Sequence, residues 1–232
     1  MAYELWYWPG IPGRGEFVRL SLEAGGIAYV DQAFENPDAL MDDIGQRVPE
    51  PFAPPYLVAG DLVVAQVANI LLFLGDEHGL APKDRAGRHL AHQIQLTIAD
   101  MVAEAHDTHH PVEMMAYYED QKPEARRRAA DFRDGRMPKF LGWFERTLDR
   151  AGGKWLTGDR WCYADLSLFQ LVDGLTYAFP KRMTTVMRDC PRLAALHERV
   201  SRLPELRDYL SSDRRQPYGE GIFRHYPELD AA

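Results

Sequence analysis

The sequence predicts an α/β domain followed by an all-helical domain. Over the first 80 residues, short segments rich in aromatic and β-branched side chains alternate with segments of helical spacing. Beyond them, apolar residues recur at i and i+4 over much longer stretches. The turn-rich segment "GLAPKDRAG" (79–87) separates the two patterns. We therefore expect domains at 1–80 and 87–232, joined by a linker at 81–86.

The first part reads as βαβαββα. "YELWYW" (3–8) and "IAYVDQAF" (27–34) are typical of strands, and "GRGEFVRLSLEAGG" (13–26) between them has helical spacing and ends at two glycines. A weak helix is expected at 38–45. The hairpin signal "PYLVAGDLVV" and the apolar helix "VANILLFLGDEHG" follow. This order predicts a mixed four-stranded sheet with helices packed on it.

The second part reads as a helical bundle. One amphipathic stripe comprises Leu90, Ile94, Ile98, Met101, Val102 and Ala105, and another comprises Phe140, Leu141, Phe144 and Leu148, with Pro138 marking a kink or a new start. "ADLSLFQLVDGLTYAF" is apolar on nearly all sides, which predicts a central buried helix. Two shorter helices, "PRLAALHERVSRL" and "PELRDYLSS", complete the expected bundle.

Charge and cysteine content narrow the function classes. The net charge of −8 over 232 residues argues against broad contact with nucleic acid. Two distant cysteines, Cys162 and Cys190, give no disulfide framework, and no apolar run approaches the roughly 20 residues that span a bilayer. The N-terminus lacks the pattern of a signal peptide, so we expect a cytoplasmic protein without membrane or nucleic-acid partners.

Four segments, in this order and spacing, resemble the cytosolic glutathione S-transferases of the tyrosine-type classes (alpha, mu, pi and sigma). They are "YWPGIPGRGEFVRL", "PPYLVAGDLVVAQVANILLFLG", "WLTGDRWCYADLSLFQLV" and "DCPRLAALHERVSRLPELRDYL". The resemblance implies a thioredoxin-like N-terminal domain and a homodimeric cytosolic enzyme of detoxification. Its substrate glutathione would be activated at the thiol and added to an electrophile, largely apolar, bound by the helical domain.

The resemblance assigns a catalytic role to Tyr7 and places Arg14 near the sulfur. Only a thiolate attacks, and a thiol of pKa about 8.5 is mostly protonated at neutral pH. A phenol stays protonated and can donate a hydrogen bond that favours the thiolate. From position alone Tyr7 is as well explained as a strand aromatic beside Trp6 and Trp8, and Arg14 as a solvated charge. Residues 8–20 contain no Ser, Thr or Cys, which argues against serine-type and cysteine-type chemistry.

Peptide binding, by the same resemblance, involves a cis-proline at Pro55 and the start of the helix after Gln66. Pro54 precedes the cis-proline and has no N–H, which removes one of two hydrogen bonds to the ligand backbone. Val67 stands where the family has Ser or Thr, so a hydroxyl contact to the ligand carboxylate is lost. The backbone N–H of Val67 remains, so we expect a weakened anion site.

Two charged residues complete the expected glutathione site. Asp100 matches a family acid that reaches the ligand ammonium group across a dimer. Arg47 is the sole Lys or Arg between residues 31 and 82, which makes it the candidate for the second carboxylate. A solvated surface charge is the alternative for Asp100.

The segment after residue 105 is expected to shape the electrophile pocket through His106, His109, His110 and Tyr118, with Tyr117 an alternative to Tyr118. His106 and His110 have a spacing that can hold zinc, but no third ligand is evident and Pro111 is expected to distort the turn, so no metal site is predicted.

Two other functions stay open at this stage. A non-catalytic protein of the same fold that carries apolar ligands or acts as a scaffold would explain Pro54 and Val67. A glutathione-dependent isomerase or peroxidase would keep the role of Tyr7.

Overall fold

The N-terminal half is a mixed sheet with helices on its faces. The computed structural model describes residues 2–231, and the strands are β1 (Tyr3–Trp6), β2 (Tyr29–Asp31), β3 (Tyr56–Ala59) and β4 (Leu62–Ala65). Their order is β2-β1-β3-β4. β1 runs parallel to β2 and antiparallel to β3, and β3 pairs with β4 through the Gly60 turn. The predicted four-stranded mixed sheet is confirmed.

Helices connect and cover the strands, with bounds α1 (Gly15–Ala24), α2 (Gln32–Glu35), α3 (Leu40–Ile44) and α4 (Val67–His78). α2 was not expected: the Asp31 side chain accepts the Ala33 N–H and starts a helix where the sequence predicted continued strand. β2 is therefore shorter than the predicted 27–34.

The rest of the chain is helical. Its α-helices are α5 (Arg85–Asp107), α6 (Lys122–Asp131), α7 (Met137–Arg150), α8 (Tyr163–Ala178), α9 (Pro180–Val186), α10 (Pro191–Ser201) and α11 (Arg207–Leu210). A π-helical turn at Phe132–Arg136 joins α6 to α7 just before Pro138, where the sequence indicated a kink or new start. α8 is buried on nearly every side, as predicted.

The sheet half and the helical half pack through a shared hydrophobic core. Phe17 of α1, Leu71 of α4, Ile98 of α5 and Leu166 of α8 belong to one cluster of buried side chains. α1 is also fixed by Glu16, whose carboxylate accepts the Tyr209 hydroxyl at 2.7 Å. The start of α1 is thus held firmly against the helices. A division at 81–86 stays our prediction.

No helix within residues 2–231 is both long and apolar enough to cross a bilayer.

Candidate functional site

Tyr7 lies directly after β1 and directs its hydroxyl toward the start of α1. The side chain is 5% exposed, and its oxygen accepts the Arg14 N–H at 2.8 Å. Within the described residues, no acceptor takes the proton of this hydroxyl. The ring is not part of the hydrophobic core clusters. A protonated donor is thereby oriented by the backbone and left free to bind an acceptor.

Two glycines allow this arrangement. Gly13 has φ of +43°, and a Cβ there would come within 2.2 Å of the Tyr7 hydroxyl oxygen. A Cβ at Gly15 would come within 2.7 Å of the Tyr7 ring. The loop that precedes α1 therefore closes over the phenol only because these positions lack side chains.

The electrostatics keep Tyr7 protonated. Burial raises the pKa of the Tyr7 hydroxyl, and the Arg14 N–H together with the charges of Arg14 and Arg19 offsets part of that rise. The Arg19 guanidinium lies 5.9 Å from the ring centroid and is itself held by Asp31. At neutral pH this hydroxyl is a donor.

A cavity of about 580 Å³ lies beside this loop. It is bounded by Arg14 and Phe17 of α1, the segment that leads into β3, the start of α4 and one face of α5. Arg14 links the Tyr7 hydroxyl to the cavity, because its backbone N–H donates to that hydroxyl and Arg14 itself lines the cavity. The Tyr7 ring lies behind this wall and does not itself line the cavity.

The start of α4 offers unpaired backbone donors to the cavity. Gln66, Val67, Ala68 and Asn69 all line it. The first bond of the helix is donated by the Ile70 N–H to the Gln66 carbonyl, so the N–H groups before it have no intrahelical acceptor, and no side chain caps them. Such a helix start binds anions.

Gln66 itself is in an unusual conformation. Its φ of +71° is the single positive value among the described non-glycine residues. Holding a non-glycine residue there costs about 1–3 kcal/mol, and such strain clusters at binding sites. The conformation turns the chain from β4 into α4 so that the helix start faces the cavity.

The segment before β3 forms the opposite wall. The Pro54–Pro55 peptide bond is cis, as predicted, and both prolines line the cavity. Phe52 also lines it and is 96% exposed.

Two polar residues that the sequence did not single out also face the cavity. Gln95 is 1% exposed, and its Oε1 has no hydrogen-bond partner among the described residues. The Nδ1 of His92 is likewise buried without a partner. Unsatisfied buried polar atoms at a cavity wall are suited to a polar ligand. In the sequence, the signal that could have indicated Gln95 was its position next to the apolar stripe of α5.

Comparisons with known proteins find similarity to glutathione S-transferases. Residues 106–213 match the family model described as the glutathione S-transferase C-terminal domain. A glutathione S-transferase of Plasmodium falciparum is 24% identical over 89% of this chain and 94% of its own length. Glutathione S-transferase P 1 of Xenopus laevis is 27% identical, with coverages of 92% and 94%. The structure of an Onchocerca volvulus Pi-class glutathione S-transferase superposes with a TM-score of 0.73 at 22% identity, covering 94% of this chain and 100% of that one.

Residues 106–213 match the C-terminal domain of the glutathione S-transferase family, and the chain is similar to cytosolic glutathione S-transferases over about nine tenths of its length. The sheet half has the thioredoxin-like fold of these proteins, whose substrate is glutathione.

Asp100 was expected to bind the ammonium group of glutathione. It is exposed and does not line the cavity of its own chain. It borders a separate groove of about 660 Å³ between α5 and α7, where Glu104 accepts three hydrogen bonds from the Arg136 guanidinium. Asp100 is therefore available to a neighbouring molecule.

Arg47, the expected partner of a glutathione carboxylate, is occupied elsewhere. Its guanidinium donates to Asp43 at 2.6 and 2.7 Å and to Glu4 at 3.3 Å, and it lies over the Trp6 ring. Arg47 does not line the cavity. A side chain tied to two carboxylates is a poor anion ligand, so the geometry does not support this prediction.

Tyr118 likewise does not open into the cavity. Its ring is buried and stacks on Tyr226 at a centroid distance of 3.8 Å, and its hydroxyl donates to Glu228. The C-terminal tail, which showed no period in sequence, covers this residue. The neighbouring Tyr117 is the exposed one of the pair.

His106, His109 and His110 cluster at the end of α5. Burial lowers the pKa of His106 to about 4 and that of His109 to about 3, with the positive charge of Arg224 acting in the same direction. Arg14 also lowers the pKa of His106, which places the cluster within electrostatic reach of the α1 start. The imidazoles are neutral at pH 7.

The cysteines lie apart from this site. Both Cys162 and Cys190 are free and buried, and burial raises the pKa of Cys190 to about 11. Neither provides a reactive thiolate.

Proposed function

We propose that this protein is a tyrosine-type glutathione transferase in which Tyr7 stabilises the thiolate of bound glutathione. The observation that carries the proposal is the Tyr7 hydroxyl, which accepts the Arg14 N–H and has no acceptor for its own proton within residues 2–231. A sulfur anion would supply that acceptor. Donation to the charged form lowers the thiol pKa, and a shift of two units requires about 2.7 kcal/mol.

The peptide would lie along the cavity beside Arg14. Its γ-glutamyl carboxylate binds the free N–H groups of Val67, Ala68 and Asn69, and its cysteinyl backbone lies against Pro54. Asp100 of a second subunit pairs with the ammonium group. These assignments follow the family pattern, and the exposure of Asp100 away from its own cavity is compatible with a role across a dimer.

The assembly we propose is a homodimer in the cytoplasm. Phe52 projects 96% exposed from the loop before β3, and Leu62 on β4 and Leu96 on α5 are also exposed. Burying such side chains against a second copy is favourable by about 1.5–3 kcal/mol each. Sedimentation at micromolar concentration should show a dimer that Phe52→Ser weakens, and Phe34→Ser, also at an exposed phenylalanine, serves as the control.

The electrophile would bind in the helical half beyond Arg14. His106 and His110 are partly exposed and within electrostatic reach of the α1 start, whereas Tyr118 is buried under the tail. We therefore assign specificity toward the electrophile to the partly exposed histidines of this cluster.

The carrier or scaffold function is favoured by one feature, the absence of two donors at Pro54 and Val67. Together they cost about 2–4 kcal/mol of glutathione affinity if nothing compensates. Retention on immobilised glutathione, followed by a conjugation assay with an aryl halide, separates the functions. Retention with turnover that falls in Tyr7→Phe supports the transferase, whereas no retention and no turnover at millimolar glutathione refutes it.

A further inference from the structure

The three histidines at the end of α5 are placed as the ligands of a metal ion. One ring nitrogen from each of His106, His109 and His110 lies within 4.8 Å of the other two. The sequence showed the His106 and His110 spacing but no third ligand. The turn after α5 supplies it, because it brings His109 back against both neighbours.

His109 is held in the orientation that a ligand requires. Its Nε2 lies 2.9 Å from the Ile222 carbonyl oxygen. A carbonyl can only accept, so Nε2 carries the proton and the Nδ1 lone pair is free. Metal-binding histidines commonly donate their other N–H to a backbone carbonyl in this way, which fixes both tautomer and ring orientation.

The free lone pair of His109 points at its neighbour. Its Nδ1 lies 2.6 Å from the Nδ1 of His110, which must carry the proton between them. His106 stacks on His110 with ring centroids 5.1 Å apart. Two nitrogens bound to one tetrahedral Zn²⁺ are about 3.3–3.4 Å apart, so ring movements of about 1–1.5 Å convert the cluster into a ligand set. His110 is partly exposed and free to make this movement.

We propose that His106, His109 and His110 form a binding site for one divalent transition-metal ion of the Zn²⁺ type at the C-terminal end of α5. Imidazole is a preferred ligand for Zn²⁺, Ni²⁺ and Cu²⁺. On binding, the proton shared by His109 and His110 leaves the His110 Nδ1, and neutral His110 carries its proton on Nε2. Three protein ligands leave a fourth position for water or another ligand.

The surrounding charges act in both directions on a bound cation. Arg224 of the tail opposes it, but its guanidinium is paired with Glu220 at 3.0 Å, and Glu220 itself favours positive charge at His110. The positive charge of Arg14, at the start of α1, also opposes a cation at this site. The carbonyl end of α5, which ends at Asp107, carries the negative end of the helix dipole and favours a cation at this place.

Cobalt binding to untagged protein tests the site, because Co²⁺ reports tetrahedral nitrogen coordination through its visible bands. We expect one Co²⁺ per chain, displaced by Zn²⁺. His106→Gln and His110→Gln, both at partly exposed positions, should weaken binding at least 10- to 100-fold. His89→Gln, at an exposed position on the same helix, should bind as the parent does.

A second measurement distinguishes loss of the metal site from misfolding of a variant. Zn²⁺ should raise the thermal unfolding midpoint of the parent and of His89→Gln, and should leave that of His106→Gln unchanged. Absent cobalt bands in the parent, or equal cobalt affinity in the parent and in both cluster variants, would overturn the proposal.

Discussion

Replacing Tyr7 with Phe removes the hydroxyl that is free to donate to a bound sulfur while keeping the ring that packs on Gly13 and Gly15. If the hydroxyl lowers the glutathione thiol pKa from about 8.5 to about 6.5, half of the bound thiol is ionised at pH 6.5. Without the hydroxyl, about 1% of the bound thiol is ionised at pH 6.5. The rate of conjugation should therefore fall about 50-fold at pH 6.5 and much less at pH 9, where both forms are largely thiolate.

The assay is kcat/KM against pH with an aryl halide electrophile at fixed, saturating glutathione. Tyr3→Phe is the matched control, because Tyr3 is on the strand that leads to Tyr7 and its hydroxyl binds His78 instead. The loss of the Arg14 contact affects stability by about 1 kcal/mol and does not depend on the sulfur. Equal rates for Tyr7→Phe and the parent at pH 6.5, or a loss that is the same at pH 6.5 and pH 9, would refute thiolate stabilisation by this residue.

Three further predictions concern the surroundings of the site. Val67→Ser adds a hydroxyl at the α4 start and should tighten glutathione binding about 10- to 100-fold, measured by calorimetry. Ala68→Ser, one position further along, should not tighten it. Equal gains in affinity from both variants would contradict the assignment of this helix start to the ligand carboxylate. Gly13→Ala should lower the free energy of unfolding by about 1–2 kcal/mol, because Gly13 has a left-handed φ, and should also lower activity by displacing Tyr7. Gly10→Ala meets no neighbouring atom and should lower stability only. Unchanged activity in Gly13→Ala would contradict the position of the Tyr7 hydroxyl. Burial raises the pKa of Glu16 to about 7 from an ordinary 4.5, so the folded state keeps a proton that the unfolded state releases. The unfolding free energy should fall by about 3 kcal/mol as the pH rises from 4.5 to 7, and Glu16→Gln should remove this slope in urea titrations.

The elements with strong periodicity could be predicted from sequence. β1, β3, β4, α4 and α5 appear where alternation or i, i+4 spacing indicated them. These elements depend on local pattern, which a single sequence carries. The cis bond before Pro55, in contrast, was implied by the family resemblance and is present.

Elements held by small residues or caps were missed. The buried face of α6 consists of Ala125 and Ala129, which are too small to stand out as a stripe. Pro123 in its first turn was the remaining signal. α2 depends on a cap from Asp31 that looks in sequence like any strand residue. Their positions are decided by packing and capping rather than by periodicity.

The sequence could place candidate residues by their position in the chain, but it could not show contacts between distant segments. Tyr7 and the α4 start lie where the order of elements requires. Glu4, 43 residues before it, helps to hold Arg47, the tail covers Tyr118, and Ile222, 113 residues further along the chain, orients His109. A sequence gives no access to such pairings.

The ionisation state of glutathione bound to the parent protein is the most direct test of the central claim. Ultraviolet absorbance of the thiolate, titrated against pH in the complex, should give an apparent thiol pKa about two units below the free value of about 8.5. Saturated protein whose bound thiol titrates at the free value would contradict the account, because the Tyr7 proton would then have no sulfur anion to stabilise.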